Sequence, residues 1–284
     1  MKSFCLILFT AASLWSRPYV TSEIRYQLGN QMFQVAAAAA VAWDYDFDLT
    51  FPDFNRIHCW RIQENYQEVF WRLPTYLPSE PTVIYQESGK EFPIPPHPNM
   101  TLRGFFMSPK YFDHHREKIL ALFAPKREIL DYLHEKYSDL LDHPITVGVH
   151  VRTYIPDYGH PPTEDELHAF ASISYYEEAI SLFPEEALFL ICSDDIPWCK
   201  AHLGHIAKNV VFIEGNKHYH DLYLMSLCDH NITANSTYSW WSAYLNQNPD
   251  KIVTTPDNWF GKWWGHNTDR IIPDGWIRIK RGKI

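Results

Sequence analysis

The chain has 284 residues, of which 46% are hydrophobic and 21% charged, so it can bury the cores of two ordinary domains and is not a disordered protein. The formal net charge of −9 argues against nucleic-acid binding, which needs a basic face, although a nucleotide can bind through a few local cations. Aromatic residues make up 16%, which favours carbohydrate handling only slightly, since they also fill cores.

Residues 1–18 form a hydrophobic, signal-like segment. Lys2 precedes an apolar run from Phe4 to Trp15, which is typical of a signal peptide and too short to span a bilayer comfortably. No small-residue cleavage site follows it. We therefore expect a cytoplasmic or membrane-associated protein, with peripheral membrane association, and leave a secretory compartment open.

Residues 19–143 are predicted to form the first domain. The pattern indicates a strand near 23–26, a turn at 27–30 and an alanine-rich helix over 31–43. A proline-rich, irregular stretch at 74–98 precedes a strand at 101–106 and helices at 113–122 and 127–141. Gly29, between strand and helix, indicates a close approach of the backbone to another group.

Residues 144–284 are predicted to form the second domain, after a break at 142–144. A continuous apolar strand at 145–151 is followed by a helix at 174–183, a strand at 187–192, a helix at 198–203 and a strand at 210–214. This alternation predicts a parallel sheet covered by helices on both faces. Ligands of such sheets bind beyond the carboxyl ends of the strands.

Residues 221–246 are the most informative segment. They are typical of a helix, a short strand, a polar turn and a second helix, and the turn carries Asn235, Ser236, Thr237 and Ser239. Unpaired N–H groups and the dipole at a helix start favour an anion, which indicates a phosphate-bearing ligand. The alternative is an ordinary turn and helix cap.

Other polar residues follow the predicted strands. Arg152 comes directly after the strand at 145–151, and its guanidinium suits phosphate oxygens. His150 is either a ligand contact or a half-buried histidine. Asp194 and Asp195 either cap the next helix or orient a sugar or base. Asp221 either accepts hydrogen bonds from a guanine edge or caps its own helix.

No metal site is predicted. The five cysteines show neither a CxxC pair nor zinc-ligand spacing. The close histidine groups, at 114–115 and 218–220, lack the spacing of a zinc protease. We expect structural roles for both groups.

Four segments together resemble glycosyltransferase family 11, the α-1,2-fucosyltransferases. They are residues 28–34 (LGNQMFQ), residues 147–152 (VGVHVR), residues 193–195 with Trp198, and the whole of 221–246. The resemblance spans about residues 24–258. It implies an α/β, GT-B-like fold of two Rossmann-type domains facing a central cleft. The domain at 19–143 would bind the acceptor and that at 144–284 GDP-fucose, with the last helix packing back on the first domain.

The family's activity is a metal-independent, inverting transfer of L-fucose from GDP-β-L-fucose to the 2-hydroxyl of a terminal galactose in a glycan, and no cofactor is expected. By position, Arg152 would hold the β-phosphate, His150 and Asp221 would contact guanine, and Asn30 would lie beside fucose and acceptor. The expected catalytic residues are Arg152, Asp157 and Asn30. The expected donor-binding residues are His150, Arg152, Asp194, Asp221, Asn235, Ser236, Thr237 and Ser239.

Two positions depart from the family pattern, which is His-x-Arg-Arg-Gly-Asp-Tyr. Thr153 replaces the second arginine, and the Asp-Tyr pair appears as Asp157 and Tyr158 after a two-residue insertion. Tyr26 and Gln27 replace a glycine pair, which predicts a stiffer loop on the acceptor side.

Two alternatives remain open. One is a catalytically weak or inactive GDP-sugar-binding protein of the same fold. The other is a glycoside hydrolase with Asp194 and Asp195 as paired carboxylates, although adjacent aspartates point in different directions.

Overall fold

The structure is a computed structural model that describes residues 17–55, 60–76, 80–88, 92–160, 162–163, 165–262 and 267–282. Residues 1–16, most of the signal-like segment, lie outside the described residues. Two parallel sheets organise the rest, one from each half of the chain.

The first sheet has the strand order β2-β1-β4-β3, with every pairing parallel. Its strands are β1 (Tyr19–Ser22), β2 (Asp48–Leu49), β3 (Val83–Gln86) and β4 (Met100–Arg103). The helices of this half are α1 (Leu28–Tyr45), α2 (Ile62–Glu68), α3 (Arg116–Leu122) and α4 (Arg127–Leu141).

The second sheet has the strand order β10-β9-β8-β5-β6-β7, again with every pairing parallel. Its strands are β5 (Thr146–Val151), β6 (Leu188–Ser193), β7 (Asn209–Phe212), β8 (His230–Ile232), β9 (Val253–Pro256) and β10 (Ile277–Ile279). Its helices are α5 (Ile155–Tyr158), α6 (Ile173–Ile180), α7 (Ile196–Leu203), α8 (His218–Leu227) and α9 (Thr237–Leu245). The predicted parallel sheet is confirmed.

The predicted strand at 23–26 is wrong. The strand of this region is β1, four residues earlier, and all four of its residues are buried, so it shows none of the alternation that a half-exposed strand would show. Residues 23–26 instead form the loop that enters α1. That helix begins at Leu28 rather than at 31, and β3 lies in the stretch predicted to be irregular.

Helix α1 joins the two halves because it is apolar on almost every side. Fourteen of its residues are buried, including five consecutive alanines. Small side chains let it pack closely against both β1 and α9. Trp240 and Trp241 of α9 are fully buried, and their ring centroids lie 4.6 and 5.0 Å from that of Phe33. These tryptophans therefore build the core between the halves.

The described chain ends in the second sheet with β10 rather than with a helix. Its last described α-helix, α9, is the one that packs on α1. Strands of the first sheet end at Arg103 and those of the second begin at Thr146. The domain boundary at 143/144 stays a prediction.

Candidate active site

A cavity of about 590 Å³ lies where the carboxyl ends of the two sheets meet. Tyr26 and Phe105, which follow β1 and β4, line it from the first half, and Arg152 and Asn235, which follow β5 and β8, line it from the second. Because every pairing is parallel, the strand ends of each sheet gather at one edge. The volume is in the range of small-molecule sites, ~300–1,000 Å³.

Arg152 is the cation at the end of β5. Its Nη1 donates to Asp194 Oδ2 over 2.7 Å, its Nη2 donates to Asp157, and its side chain is 13% exposed. The guanidinium carbon lies 4.6 Å from the centroid of the Tyr154 ring. The charge is thus held at the cavity wall by two carboxylates and a ring face.

The carboxylates of Asp194 and Asp195 both accept hydrogen bonds from groups of the protein. Asp194 accepts hydrogen bonds from the backbone N–H groups of Thr153 (2.7 Å) and Tyr154 (3.0 Å), in addition to that from Arg152. Asp195 caps α7 by accepting from Trp198 N over 2.9 Å, which confirms the expected cap. Neither lines the cavity, so the two do not form the carboxylate pair of a glycoside hydrolase.

The polar turn at 235–237 lines the cavity at the start of α9. Ser236 is the N-cap of that helix, and its Oγ accepts from Tyr238 N. Thr237 Oγ1 donates to Asn30 Oδ1 over 3.0 Å, which joins the first turns of α1 and α9. The helix start and its hydroxyls thus face the same cavity as Asn30.

Asn235 is 2% exposed, and its amide nitrogen donates to the carbonyls of Ala169 (2.6 Å) and Trp259 (2.8 Å). Its side-chain oxygen is buried without a hydrogen-bond partner among the described residues. The backbone carbonyl of Asn235 accepts from the hydroxyl of Tyr154 over 2.8 Å. Asn235 therefore fixes the turn more than it exposes groups to a ligand.

Gly29 makes the close approach between α1 and α9 possible. A Cβ at this position would lie 2.5 Å from the Thr237 carbonyl carbon and the Tyr238 nitrogen. The backbone oxygen of Gly29 also accepts from Trp241 Nε1 over 3.1 Å. The close approach predicted for this glycine is confirmed.

Besides Asp194, three further predicted donor-binding residues do not line the cavity. Ser239 is fully buried, and its hydroxyl bonds to the backbone of Ala234 and Ser236. His150 is 5% exposed, and burial, with the nearby charge of Arg152 second, lowers its pKa to about 3, so it is neutral.

Asp221, the third of these residues, lies in the first turn of α8 and accepts from Asn216 Nδ2 over 2.8 Å. Burial raises its pKa to about 6. The N-cap of α8 is Lys217, so the capping alternative for Asp221 is wrong.

The run at 153–158, which carries the two-residue insertion, follows β5 and contains α5. Tyr154 has φ +57° in the left-handed region, and its ring stacks on His168 at 4.9 Å. Thr153, in place of the family's second arginine, is fully buried, and its hydroxyl accepts from Ile155 N. Asp157 on α5 lines the cavity with its side chain 43% exposed. The structure therefore brings the displaced carboxylate beside Arg152.

Most of the wall from the first half was not predicted from sequence. Tyr26, Glu87, Phe105 and Tyr111 line it together. Glu87 Oε2 accepts from the N–H groups of Phe105 (2.8 Å) and Phe106 (2.9 Å), and its Oε1 accepts from the Tyr111 hydroxyl (3.2 Å). The sequence signals for this wall are Asn30 and the pair Tyr26 and Gln27, which stands where the family has two glycines.

No helix among the described residues is both long and apolar enough to span a bilayer.

A group of three side chains that can hold a metal ion, Asp44, His114 and His115, lies outside the cavity. Both histidine Nε2 atoms lie at hydrogen-bond distance from Asp44 Oδ1, at 3.0 and 2.7 Å.

Comparison with known proteins gives a family and a fold. The family model described as Glycosyl transferase family 11 matches residues 13–280. Among curated proteins, the chain is 33% identical to the O-antigen biosynthesis glycosyltransferase WbnK of Escherichia coli over 63% of this chain and 60% of that protein. It is also 33% identical to an alpha-1,2-colitosyltransferase of Escherichia coli, over 63% and 62%. The matches thus span about three fifths of these relatives.

A galactoside alpha-(1,2)-fucosyltransferase 1 of Leontopithecus chrysomelas is 28% identical over 61% of this chain and 54% of that protein. Among solved structures, NodZ alpha-1,6-fucosyltransferase soaked with GDP-fucose superposes with a TM-score of 0.52 at 13% identity, covering 81% of this chain and 92% of that one. A mutant of Arabidopsis thaliana FUT1 in complex with GDP gives 0.51 at 14% identity, covering 86% and 71%. These likenesses concern the fold, and the predicted α/β, GT-B-like class is confirmed.

Proposed function

Because the chain belongs to glycosyl transferase family 11, we propose that it is an inverting galactoside α-1,2-fucosyltransferase. It transfers L-fucose from GDP-β-L-fucose to the 2-hydroxyl of a terminal galactose in a glycan. The observation that carries this proposal is the cavity between the two sheets, where Arg152 and the start of α9 both contribute to the second-half wall. A guanidinium near a hydroxyl-bearing helix start suits a diphosphate.

The donor is assigned to the second half. Arg152, the hydroxyl of Ser236 and the backbone N–H of Thr237 at the start of α9 bind the diphosphate, because the Thr237 hydroxyl proton is already donated to Asn30. Asp221 accepts one hydrogen bond among the described residues, from Asn216, and so keeps acceptor capacity for the adjacent N–H groups of a guanine edge. Neither Asp221 nor His150 lines the cavity, and guanine recognition is assigned to Asp221 because its carboxylate can accept two hydrogen bonds, whereas His150 is buried and neutral.

The reaction is a single displacement. The acceptor oxygen forms a bond to the anomeric carbon of fucose from the face opposite GDP, while the bond from that carbon to the diphosphate breaks. Negative charge grows on the leaving diphosphate, where the preorganised guanidinium of Arg152 stabilises it. No metal ion is part of this proposal.

Asp157 is the proposed general base, which takes the proton of the 2-hydroxyl. In the structure its carboxylate is paired with Arg152. A diphosphate that engages Arg152 competes with this pair and leaves a carboxylate oxygen for the incoming hydroxyl. Asn30, which accepts a hydrogen bond from Thr237 at the cavity wall, is assigned the role of orienting the sugars.

A second candidate is a GDP-sugar-binding protein without transfer. It is favoured by the two carboxylates that already satisfy Arg152 and by the buried Thr153 in place of a second arginine. Calorimetry with GDP, GDP-fucose and UDP-galactose, followed by a transfer assay on the same sample, separates the two. Selective binding of the guanosine nucleotides with transfer supports the enzyme, and binding without transfer supports the second candidate. Equal binding of the uridine sugar contradicts both.

A further inference from the structure

We propose that the rings of Tyr26 and Phe105 form a platform on which the acceptor sugar stacks by the apolar C–H face of its ring. The inference rests on the proposed function, because it places the acceptor in one part of the same cavity. The two ring centroids lie 5.0 Å apart with an interplanar angle of 30°. Two adjacent aromatic rings thus lie at the cavity wall.

Exposure distinguishes these rings from most aromatic residues of the described chain. Tyr26 is 57% exposed and Phe105 is 37% exposed, and both line the cavity. Exposed apolar surface inside a cavity is typical of a ligand contact. A pyranose ring fits such a surface because it presents C–H groups on one face and hydroxyls around its edge.

Charge divides the cavity into two parts. Among the described lining residues of the first half, Glu87 is the single charged side chain. The lining arginines, Arg152 and Arg270, both come from the second half. The first-half wall therefore disfavours a diphosphate and accepts a neutral sugar.

Tyr26 adopts a backbone conformation that favours glycine, with φ +65°. A chain of buried amides holds it there. Gln31 Nε2 donates to the Tyr26 carbonyl, Asn65 Nδ2 donates to Gln31 Oε1, and the Nε2 of His218 lies at hydrogen-bond distance from Asn65 Oδ1, each over 2.7 Å. A residue that its surroundings keep in an unfavourable backbone conformation points to function.

Phe105 is fixed by the same helix. Gln34 Oε1 accepts from Arg25 N over 2.9 Å, and its Nε2 donates to the Gly104 carbonyl over 3.2 Å, so one buried side chain joins the loops that carry the two rings. Glu87 also holds the N–H of Phe105. The platform is thus organised before a sugar arrives, which lowers the entropic cost of binding.

The test is a titration of the full chain with methyl β-D-galactoside in the presence of GDP, in which binding is measured by ligand-observed NMR. The variants are Tyr26→Gly, which removes the ring and relieves the backbone; Tyr26→Phe, which keeps the ring; and Tyr76→Ala, a tyrosine 54% exposed outside the cavity. Tyr26→Gly should weaken galactoside binding by about 3- to 10-fold. Tyr26→Phe and Tyr76→Ala should stay within about twofold, GDP affinity should not change, and the Tm of Tyr26→Gly should not fall.

Unchanged galactoside affinity in Tyr26→Gly, an equal loss in Tyr26→Phe, or no galactoside binding by the wild type overturns the platform. Parallel measurement of fucose transfer separates this outcome from failure of the proposed function. Wild-type protein that binds galactoside through Tyr26 but forms no product contradicts the transferase and supports the platform. Product formation with an acceptor KM unaffected by Tyr26→Gly contradicts the platform alone.

Discussion

Arg152 and Asp194 form a 2.7 Å ion pair at the carboxyl ends of two adjacent strands, β5 and β6. Their side chains are 13% and 12% exposed. Because Asp194 also receives two backbone N–H groups of the next loop, it fixes the position of the guanidinium instead of meeting a ligand. The arginine is therefore preorganised to receive charge at one point of the cavity.

Replacement of Arg152 should remove transfer while the protein stays folded. Arg152→Ala should lower kcat by ~100-fold or more, the usual cost of losing one preorganised donor at developing charge. Arg152→Lys keeps the charge but loses the planar fork, so it should recover only part of the rate. Steady-state kinetics with GDP-fucose, together with circular dichroism, measure both effects. Near-normal turnover in Arg152→Ala would remove this residue from the mechanism.

Asp157→Asn tests the proposed base. Loss of a general base commonly costs about 10²- to 10⁴-fold in rate, so we expect a fall in kcat of at least ~100-fold. GDP affinity should hold or improve, because the carboxylate that competes for Arg152 is neutralised. Asp131→Asn, an exposed ion-paired aspartate outside the cavity, is the matched control. If kcat is unchanged in Asp157→Asn, departure of the diphosphate drives the reaction without this base.

Gly29→Ala should separate the starts of α1 and α9. The added Cβ meets backbone atoms at 2.5 Å, and backbone cannot yield as a flexible side chain does. Overpacking of this kind costs about 1–3 kcal/mol, and the displacement also strains the bond between Asn30 and Thr237. Chemical denaturation should show the loss of stability, and kcat should fall with it. A variant as stable and active as the wild type would show that the helices do not approach this closely.

Asp221 should make GDP binding depend on pH. Its pKa, raised by burial to about 6, means that the carboxyl is ionised above pH 6 and protonated below it. Guanine recognition needs the ionised form, so GDP affinity should fall as the pH drops through 6. Asp221→Asn at pH 7.5 should then bind about as weakly as the wild type near pH 5. Calorimetry across this range measures both.

The raised pKa of Asp221 also gives a control for folding. A carboxyl whose pKa is raised by folding binds its proton more tightly in the folded state, so its ionisation destabilises the fold as the pH rises through 6. Asp221→Asn removes that cost, and its Tm at pH 7.5 should equal or exceed that of the wild type. Weak GDP binding by a variant of undiminished Tm is a binding effect. A pH-independent GDP affinity in the wild type would contradict the guanine assignment.

Local patterns predicted the second half of the fold well. Each predicted strand of the second sheet lies within a few residues of its place, and in the first half the helix at 127–141 has the predicted bounds. Buried apolar runs bounded by polar strand ends carry this information in adjacent residues. Strands β9 and β10 lack such runs and were not predicted.

The sequence predicted those site residues that come directly after a strand along the chain. Arg152, Asp157 and the turn at 235–237 meet at the cavity as expected. The wall of Tyr26 and Phe105 was not predicted, because it forms only when loops 79 residues apart in sequence are joined by the side chain of Gln34. The sequence also does not show that the side chains of Ser239 and Asp194 form hydrogen bonds with backbone groups of the protein, because it does not reveal which side chains are buried.

The most direct test of the central proposal is incubation of the full chain with GDP-fucose and a panel of β-galactosides, with linkage and anomeric analysis of the product by NMR. We predict an α-linked fucose on the 2-hydroxyl of the terminal galactose, formed from the β-linked donor with inversion and absent with Arg152→Ala. Fucose attached at another hydroxyl, a product with retained configuration, or GDP binding without any transfer would contradict the account.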